Sequence, residues 1–280
     1  MDCLICKEVM DGFLVEKGYA IHPTCGDLNS AAGDPESVDL KKLVQRIIRS
    51  TDANSPRSLQ KLLGPSEVGE ECERKIAYQI LDVPTKNRLR DPWPAIQGTA
   101  VHHWMEKAVK AWPVNNPALS PKFGGMHWET EMRVAANEIV SGSSDVYDHV
   151  NFRVIDWKTA STEYMKKYIA QGPPRKYIIQ INLYGLGHEN AGRQVKDLAL
   201  VFLARGGRLS DTYVWRDVYR REIAEEALAR LEGIGDMLLD GTAPQDFPAH
   251  PSDDCGFCPW FSSDDATMGV TADGFGCPGR

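Results

Sequence analysis

The sequence predicts an α/β fold, a mixed sheet flanked by helices. Three observations carry that expectation. Residues 141–159, SGSSDVYDHVNFRVIDWKT, read as two short strands around the polar turn Asp148-His149-Val150-Asn151. Residues 197–205 are too apolar for an edge: with Val195 beside them, Leu198, Leu200, Val201 and Leu203 mark a central strand. Helical periodicity runs through 96–112 and again through 222–239.

The second strand of the hairpin, 152–159, alternates. Side chains two apart in a strand share a face, so Asp156 and Lys158 point one way while Ile155 and Trp157 point into a core. An antiparallel hairpin brings Asp145 beside Asp156. Two carboxylates and an ammonium then converge, as a Mg²⁺ site working on phosphate requires. A lysine at its rim orients the attacking water or offsets charge growing on phosphorus.

The chain has 280 residues, enough for one large domain and an appendage, and a formal net charge of −7. That charge excludes coating nucleic acid by bulk electrostatics but leaves room for a local basic groove. No apolar run reaches membrane-spanning length and no signal peptide is visible, so a cytoplasmic location is expected. The seven cysteines are clustered, which in a reducing compartment favours metal binding over disulfides.

In chain order, Cys3-x-x-Cys6 and His22-x-x-Cys25 form a zinc signature around a small hairpin with Lys17-Gly18 at its turn. So small a knuckle, residues 1–27, draws its folding energy from the metal. Residues 28–57 read as a linker carrying one helix over 38–49. The main domain, 58–280, opens with two helical pieces, with Ser66 as an N-cap after Gly64-Pro65 and Cys72 in the second. The basic loop at Arg88 and Arg90, followed by Trp93, suits single-stranded nucleic acid through phosphate contacts and base stacking.

Helix 96–112 places Gly98, His102 and Glu106 on one face, with His102 able to offer its imidazole to the Asp145/Asp156 metal and Gly98 leaving room for a phosphate. Strand 127–134 pairs with 138–147 and leaves Glu131 as a spare carboxylate near the site. After the hairpin, a polar, basic stretch holds Lys166, Lys167, Arg175 and Lys176 around Gly172-Pro173-Pro174. The prolines start a helix to about Gly187, on which Gln180 and Tyr184 share a face. A hairpin, 197–205 with 211–219, and helix 222–239 precede a tail with Cys255-x-x-Cys258 and Cys277.

Taken in order, Gly98-Thr-x-x-His102, Gly142-x-x-Asp145, Asp156-x-Lys158 and Gln180-x-x-x-Tyr184 resemble the RecB-like branch of the P-D-(D/E)-x-K nuclease superfamily, with its restriction-endonuclease-like fold. With Cys72, Cys255, Cys258 and Cys277, the chain resembles that branch's iron–sulfur members. These include CRISPR-associated exonucleases, their phage relatives and AddB-type nuclease domains. The resemblance spans residue 58 to the C-terminus. It implies a Mg²⁺ or Mn²⁺ site at His102, Asp145, Asp156 and the backbone carbonyl of Trp157, with Lys158 as catalytic lysine and Gln180 and Tyr184 beside it. It also implies a 4Fe–4S cluster on the four cysteines. The spacer between Cys258 and Cys277 is longer than the family's, and the N-terminal knuckle lies outside its pattern.

The expected function is metal-dependent DNA exonuclease on single strands, in recombination or repair in a phage or bacterium. Its partners would be DNA, along Arg88, Arg90, Lys166, Lys167, Arg175 and Lys176, and recombination proteins at the zinc module. The alternatives are a structure-specific endonuclease of the same fold, which would cut a circular strand, and a non-catalytic DNA-binding adaptor, which has no need of the Asp145/Asp156/Lys158 set.

Overall fold

A computed structural model describes residues 14–16, 19–21, 40–54, 63–87, 91–116, 118, 122, 125, 127–262 and 276–279. The chain divides into two compact units, Met1–Gln60 and Lys61–Arg280.

In the first unit β1 (Leu14–Glu16) and β2 (Tyr19–Ile21) pair antiparallel, the hairpin the sequence predicts. Lys17, Gly18 and the four zinc candidates, Cys3, Cys6, His22 and Cys25, lie outside the described residues. Helix α1 (Leu40–Ala53) runs later than expected and leaves Leu40, Val44 and Ile47 exposed.

The second unit is built on a five-stranded mixed sheet, ordered β3-β4-β5-β6-β7. Its strands are β3 (Trp128–Ala135), β4 (Ser141–Asp148), β5 (Arg153–Ser161), β6 (Asp197–Arg205) and β7 (Tyr213–Val218). All neighbours are antiparallel except β5 and β6, which pair parallel from Arg153↔Asp197 to Ser161↔Arg205. A parallel pair needs a crossover, and α5 (Thr162–Gln171) and α6 (Arg175–Asn190) supply it. Helix α5 occupies part of the polar, basic stretch, to which the sequence reading assigns no element. Ser161 caps it by accepting from the Tyr164 N–H, and Met165 and Tyr168 bury its narrow apolar side.

Helix α6 is the central helix, buried continuously from Ile179 to His188. On one side it meets the sheet: Ile181 and Tyr184 pack with Val154, Leu198, Leu200 and Phe202. On the other, Leu183 and Leu186 pack with α7 (Arg221–Leu239) through Ala224, Leu228 and Leu231. Gly187 permits this depth, because a Cβ there would sit 2.9 Å from the Val134 side chain. The opposite sheet face packs on α4 (Trp93–Asn115): Val109 joins Ile155, Trp157 and Val146, as the alternation of β5 requires.

Two short helices, α2 (Pro65–Val68) and α3 (Glu73–Ile80), open this unit. The N-cap of α2 is Gly64, not Ser66. Pro65 takes the first helical position and Glu67 accepts the Gly64 N–H at 2.9 Å. Cys72 likewise lies outside the helix, as the N-cap of α3. Helix α3 is pinned to the C-terminal segment. Arg74 Nε donates to the Phe247 carbonyl at 3.0 Å, Lys86 and Asn87 N–H groups donate to Pro259, and Trp260 Nε1 donates to Val83. Among the described residues no helix is long and apolar enough to cross a membrane.

Candidate active site

The site lies where the β4–β5 ladder stops. Backbone pairing runs Asp148↔Arg153, Tyr147↔Val154, Val146↔Ile155 and ends. The next residues in register are Asp145 and Asp156, and the strands part between them. The ladder on the other side of β4 breaks at the same level. Thr130↔Val146 and Met132↔Ser144 pair, but Glu131, opposite Asp145, has φ +54 and drops out. That left-handed conformation is uncommon for a non-glycine residue and turns the peptide away from its neighbour. Asp145 therefore stands in a fork open to both flanking strands.

Its carboxylate fills the fork. Oδ2 accepts the Trp157 N–H at 2.7 Å, a donor left without a β4 partner, and Oδ1 lies 3.1 Å from Nδ1 of His102. His102 reaches in from α4. Gly98, one turn earlier, lies against β5, where a Cβ would meet Thr159 Oγ1 at 3.6 Å. Among the described residues beyond its own helix, that hydroxyl is the one atom within 4 Å of such a Cβ, at ordinary contact distance.

Asp156 and Lys158 share the α6 side of β5. Lys158 Nζ lies 2.5 Å from Asp156 Oδ2 and donates to Gln180 Oε1 at 2.9 Å. Tyr184 stands one turn on from Gln180; burial pushes its phenol up, and Gln180 opposes the rise. The Tyr184 ring explains Gly142 in β4: a Cβ there would lie 3.2 Å from Cε1 of Tyr184 and 2.8 Å from Pro65. The sequence-predicted His102, Asp145, Asp156, Lys158, Gln180 and Tyr184 thus come together. For Trp157 the geometry gives a role to its N–H, as the donor to Asp145.

Burial sets the electrostatics. Asp156 is 2 % exposed, and desolvation pushes its carboxyl up to about 6, opposed by Lys158 and reinforced by Asp145. Burial works against the Lys158 charge, but Asp156 and Asp145 outweigh it and hold the ammonium above its ordinary value. His102 behaves alike: desolvation opposes its charge, and the bond to Asp145 more than compensates. Glu131 is raised by burial and by the nearby Asp145 and Glu106 carboxylates.

This donor set fits a hard divalent cation: two carboxylates and an imidazole. Asp156 Oδ2 is buried with the Lys158 ammonium as its partner and takes no backbone donor. Among the described residues no three His, Cys, Asp or Glu side chains are already gathered in coordination geometry. Cation binding must therefore exchange the His102–Asp145 contact and the Lys158–Asp156 contact for bonds to the ion.

The other predicted residues fall as follows. Lys166, Lys167 and Arg175 are exposed on α5 and the start of α6, Arg175 lying 4.0 Å from Glu226. Lys176 is paired with Asp254 at 2.5 Å. Arg88 and Arg90 lie outside the described residues. Cys72, Cys255, Cys258 and Cys277 are free thiols that line one pocket between α3 and the C-terminal segment. Burial pushes the Cys258 thiol up to about 11, and Cys72 and Cys277 add to it. Cys277 is held there by a parallel bridge to Phe261. The sequence reading missed Tyr177, whose ring lies against Lys158. Its only sequence signal is its place three residues before Gln180, on the same helical face.

Residues 126–263 match the family model of the PD-(D/E)XK nuclease superfamily, a stretch that takes in Asp145, Asp156, Lys158, Gln180 and Tyr184. Among solved structures, the chain is similar to an alkaline exonuclease (LHK-Exo) from Laribacter hongkongensis. The identity is 13 %, over 66 % of this chain and 91 % of that one, with a TM-score of 0.45. The same enzyme in complex with dAMP gives 14 %, 64 %, 89 % and 0.44. A phage-related exonuclease from Haemophilus somnus 129PT gives 14 %, 49 %, 74 % and 0.30. No curated protein matches the sequence.

Proposed function

We propose that this chain is a Mg²⁺- or Mn²⁺-dependent DNA exonuclease of the RecB-like type, acting on single strands in recombination or repair in the cytoplasm of a bacterium or phage-infected cell. The observation that carries the reading is the fork. Buried Asp145 and Asp156 face each other where the ladder stops, with His102 and Lys158 on either side. A structural ion pair has no use for a second buried carboxylate, Asp145, beside Asp156 at the break in the ladder. A site for a cation does.

His102, Asp145 and Asp156 would hold the ion, with the Trp157 carbonyl as a further ligand. When bound, it supplies an electrophile for the phosphate and makes water more acidic. The rest is the chain's own work. Gln180 fixes the Lys158 ammonium beside the fork, where its charge opposes the negative charge growing on the phosphate oxygens. Tyr184 stands one turn on from Gln180 on the same face of α6. Lys166, Lys167 and Arg175, with Arg88, Arg90 and Lys176, would border the strand and bind its phosphates.

Two metal modules complete the reading. Cys3, Cys6, His22 and Cys25 would hold one zinc ion, and the module around them would meet recombination proteins. Cys72, Cys255, Cys258 and Cys277 would hold a 4Fe–4S cluster, supported by their gathering around one pocket. Iron content after anaerobic purification tests the cluster: colourless protein with zinc in its place overturns it.

The activity is tested with end-labelled linear and circular single strands and Mn²⁺, wild type beside Asp156→Ala. Mononucleotides from linear DNA only, and none from the variant, is the expected result. Cut circles would make the chain an endonuclease. No cleavage of either, with DNA still bound, would make it an adaptor.

A further inference from the structure

We propose that Tyr177 is a positioning residue for Lys158, its ring face holding the ammonium at the fork when a cation draws Asp156 away. The proposal rests on the nuclease reading. Lys158 Nζ lies 4.9 Å from the centre of the Tyr177 ring, within range of cation–π attraction. The ammonium has three donors. One faces Asp156, one reaches Gln180, and the ring closes off the remaining direction. Lys158 is only 12 % exposed, so little water competes with the ring.

The ring is itself fixed. Tyr168 meets it nearly edge-on, 6.4 Å between centres and 83° between planes, and Phe202 packs against it at 6.2 Å. Tyr168 and Phe202 are buried and pack on each other at 5.1 Å, so the ring rests on core rather than on a loop. Lys176 also lies over the ring, at 5.6 Å, but Asp254 anchors it from the other side. Tyr177 comes three residues before Gln180, so one helical face presents both holds to Lys158.

The need for a second hold follows from the chemistry. In the metal-free protein Asp156 is the closest partner of Lys158. A cation that takes the Asp156 oxygens weakens that partnership and repels the ammonium. Gln180 and the Tyr177 ring then keep a four-carbon side chain from swinging out to solvent.

The test compares Tyr177→Phe with Tyr177→Leu. On linear single-stranded DNA with Mn²⁺, Phe should keep kcat within about twofold, because the ring remains, while Leu should lower kcat about tenfold with KM little changed. In a Lys158→Ala background the Leu substitution should have no further effect. A second readout needs no turnover: acetylation of Lys158 by an amine-reactive reagent with Mn²⁺ present, followed by peptide mass spectrometry. It should be fast in Leu and slow in wild type and Phe. If Leu fails to fold, Tyr177→Met fills the space without a ring. Equal kcat in wild type and Leu, equal losses in Phe and Leu, or equal acetylation in all three overturns the proposal. If wild type itself cleaves nothing, the nuclease reading fails, and the acetylation rates alone still decide whether Tyr177 holds Lys158.

Discussion

The two ends of the β4–β5 hairpin each bury an aspartate, and they use it in opposite ways. At the turn, Asp148 is 1 % exposed and fully engaged. Its carboxylate accepts from the N–H groups of Val150 and Asn151, at 3.0 and 3.1 Å, and from Asn151 Nδ2 at 2.7 Å. At the fork, Asp156 is 2 % exposed, and its Oδ2 takes no backbone donor and meets the Lys158 ammonium instead. Burial is the same at both ends. What differs is the supply of donors: the turn folds its own backbone around the carboxylate, while the fork withholds it. An acidic group that closes a turn and one held by a side-chain ammonium are told apart by their partners.

Substitution should separate the two ends. Asp156→Asn should lower cleavage about 10³-fold or more while the metal-free fold persists, since the lost group would serve a ligand. Thermal melting and a turnover assay on one preparation check both halves, and a variant that melts early and still cuts would break the comparison. Asp148→Ala should do the reverse. It strips three donors of their acceptor, costing about 3 kcal/mol and lowering the denaturant midpoint, with turnover per folded molecule kept.

A smaller effect probes the strand between the ends. His188, fully buried on α6, contacts Ser144 Oγ at 3.0 Å through Nε2 and stacks on Tyr147. Burial, with Arg193 and His149 nearby, lowers its pKa to about 4. The folded state refuses a proton that the unfolded chain takes up near pH 6.5. The contribution to stability is therefore full above about 6.5 and is lost as pH falls toward 4, amounting to up to about 3 kcal/mol there. Urea midpoints measured between pH 7 and 4 should fall steeply for wild type and less for His188→Gln. Parallel curves would assign the acid sensitivity to another group.

Much of this was legible in the sequence, for identifiable reasons. The alternation of Val154 to Lys158 set the two faces of β5, because a period of two has one solution once Ile155 and Trp157 must be buried. The apolar run of β6 announced a central strand. Helix α5 was hidden, since Thr162, Lys166 and Lys167 surround only two buried residues and the signal for a start lies in Ser161 alone. Two features of the fork had no local signature. Nothing in the residue types says that the ladder stops after Val146↔Ile155, or that Glu131 turns left-handed opposite Asp145. Both are settled by packing from three strands at once. Tyr177 was missed because an aromatic residue after Arg175-Lys176 looks like any helix start until Lys158 is placed under it.

The pinning of α3 to the C-terminal segment has a consequence for synthesis. Trp260 closes on Val83 across 177 residues. Joining ends so far apart costs about 4–5 kcal/mol of chain entropy beyond a constant. At ribosomal speed, the backbone groups of Lys86 and Asn87 wait roughly 10–35 s for Pro259 to be made. All five strands of the sheet and the residues of the fork precede that closure. The nascent chain therefore exposes the thiol of Cys72 long before Cys255, Cys258 and Cys277 arrive to share its pocket. During that interval the fold does not protect it.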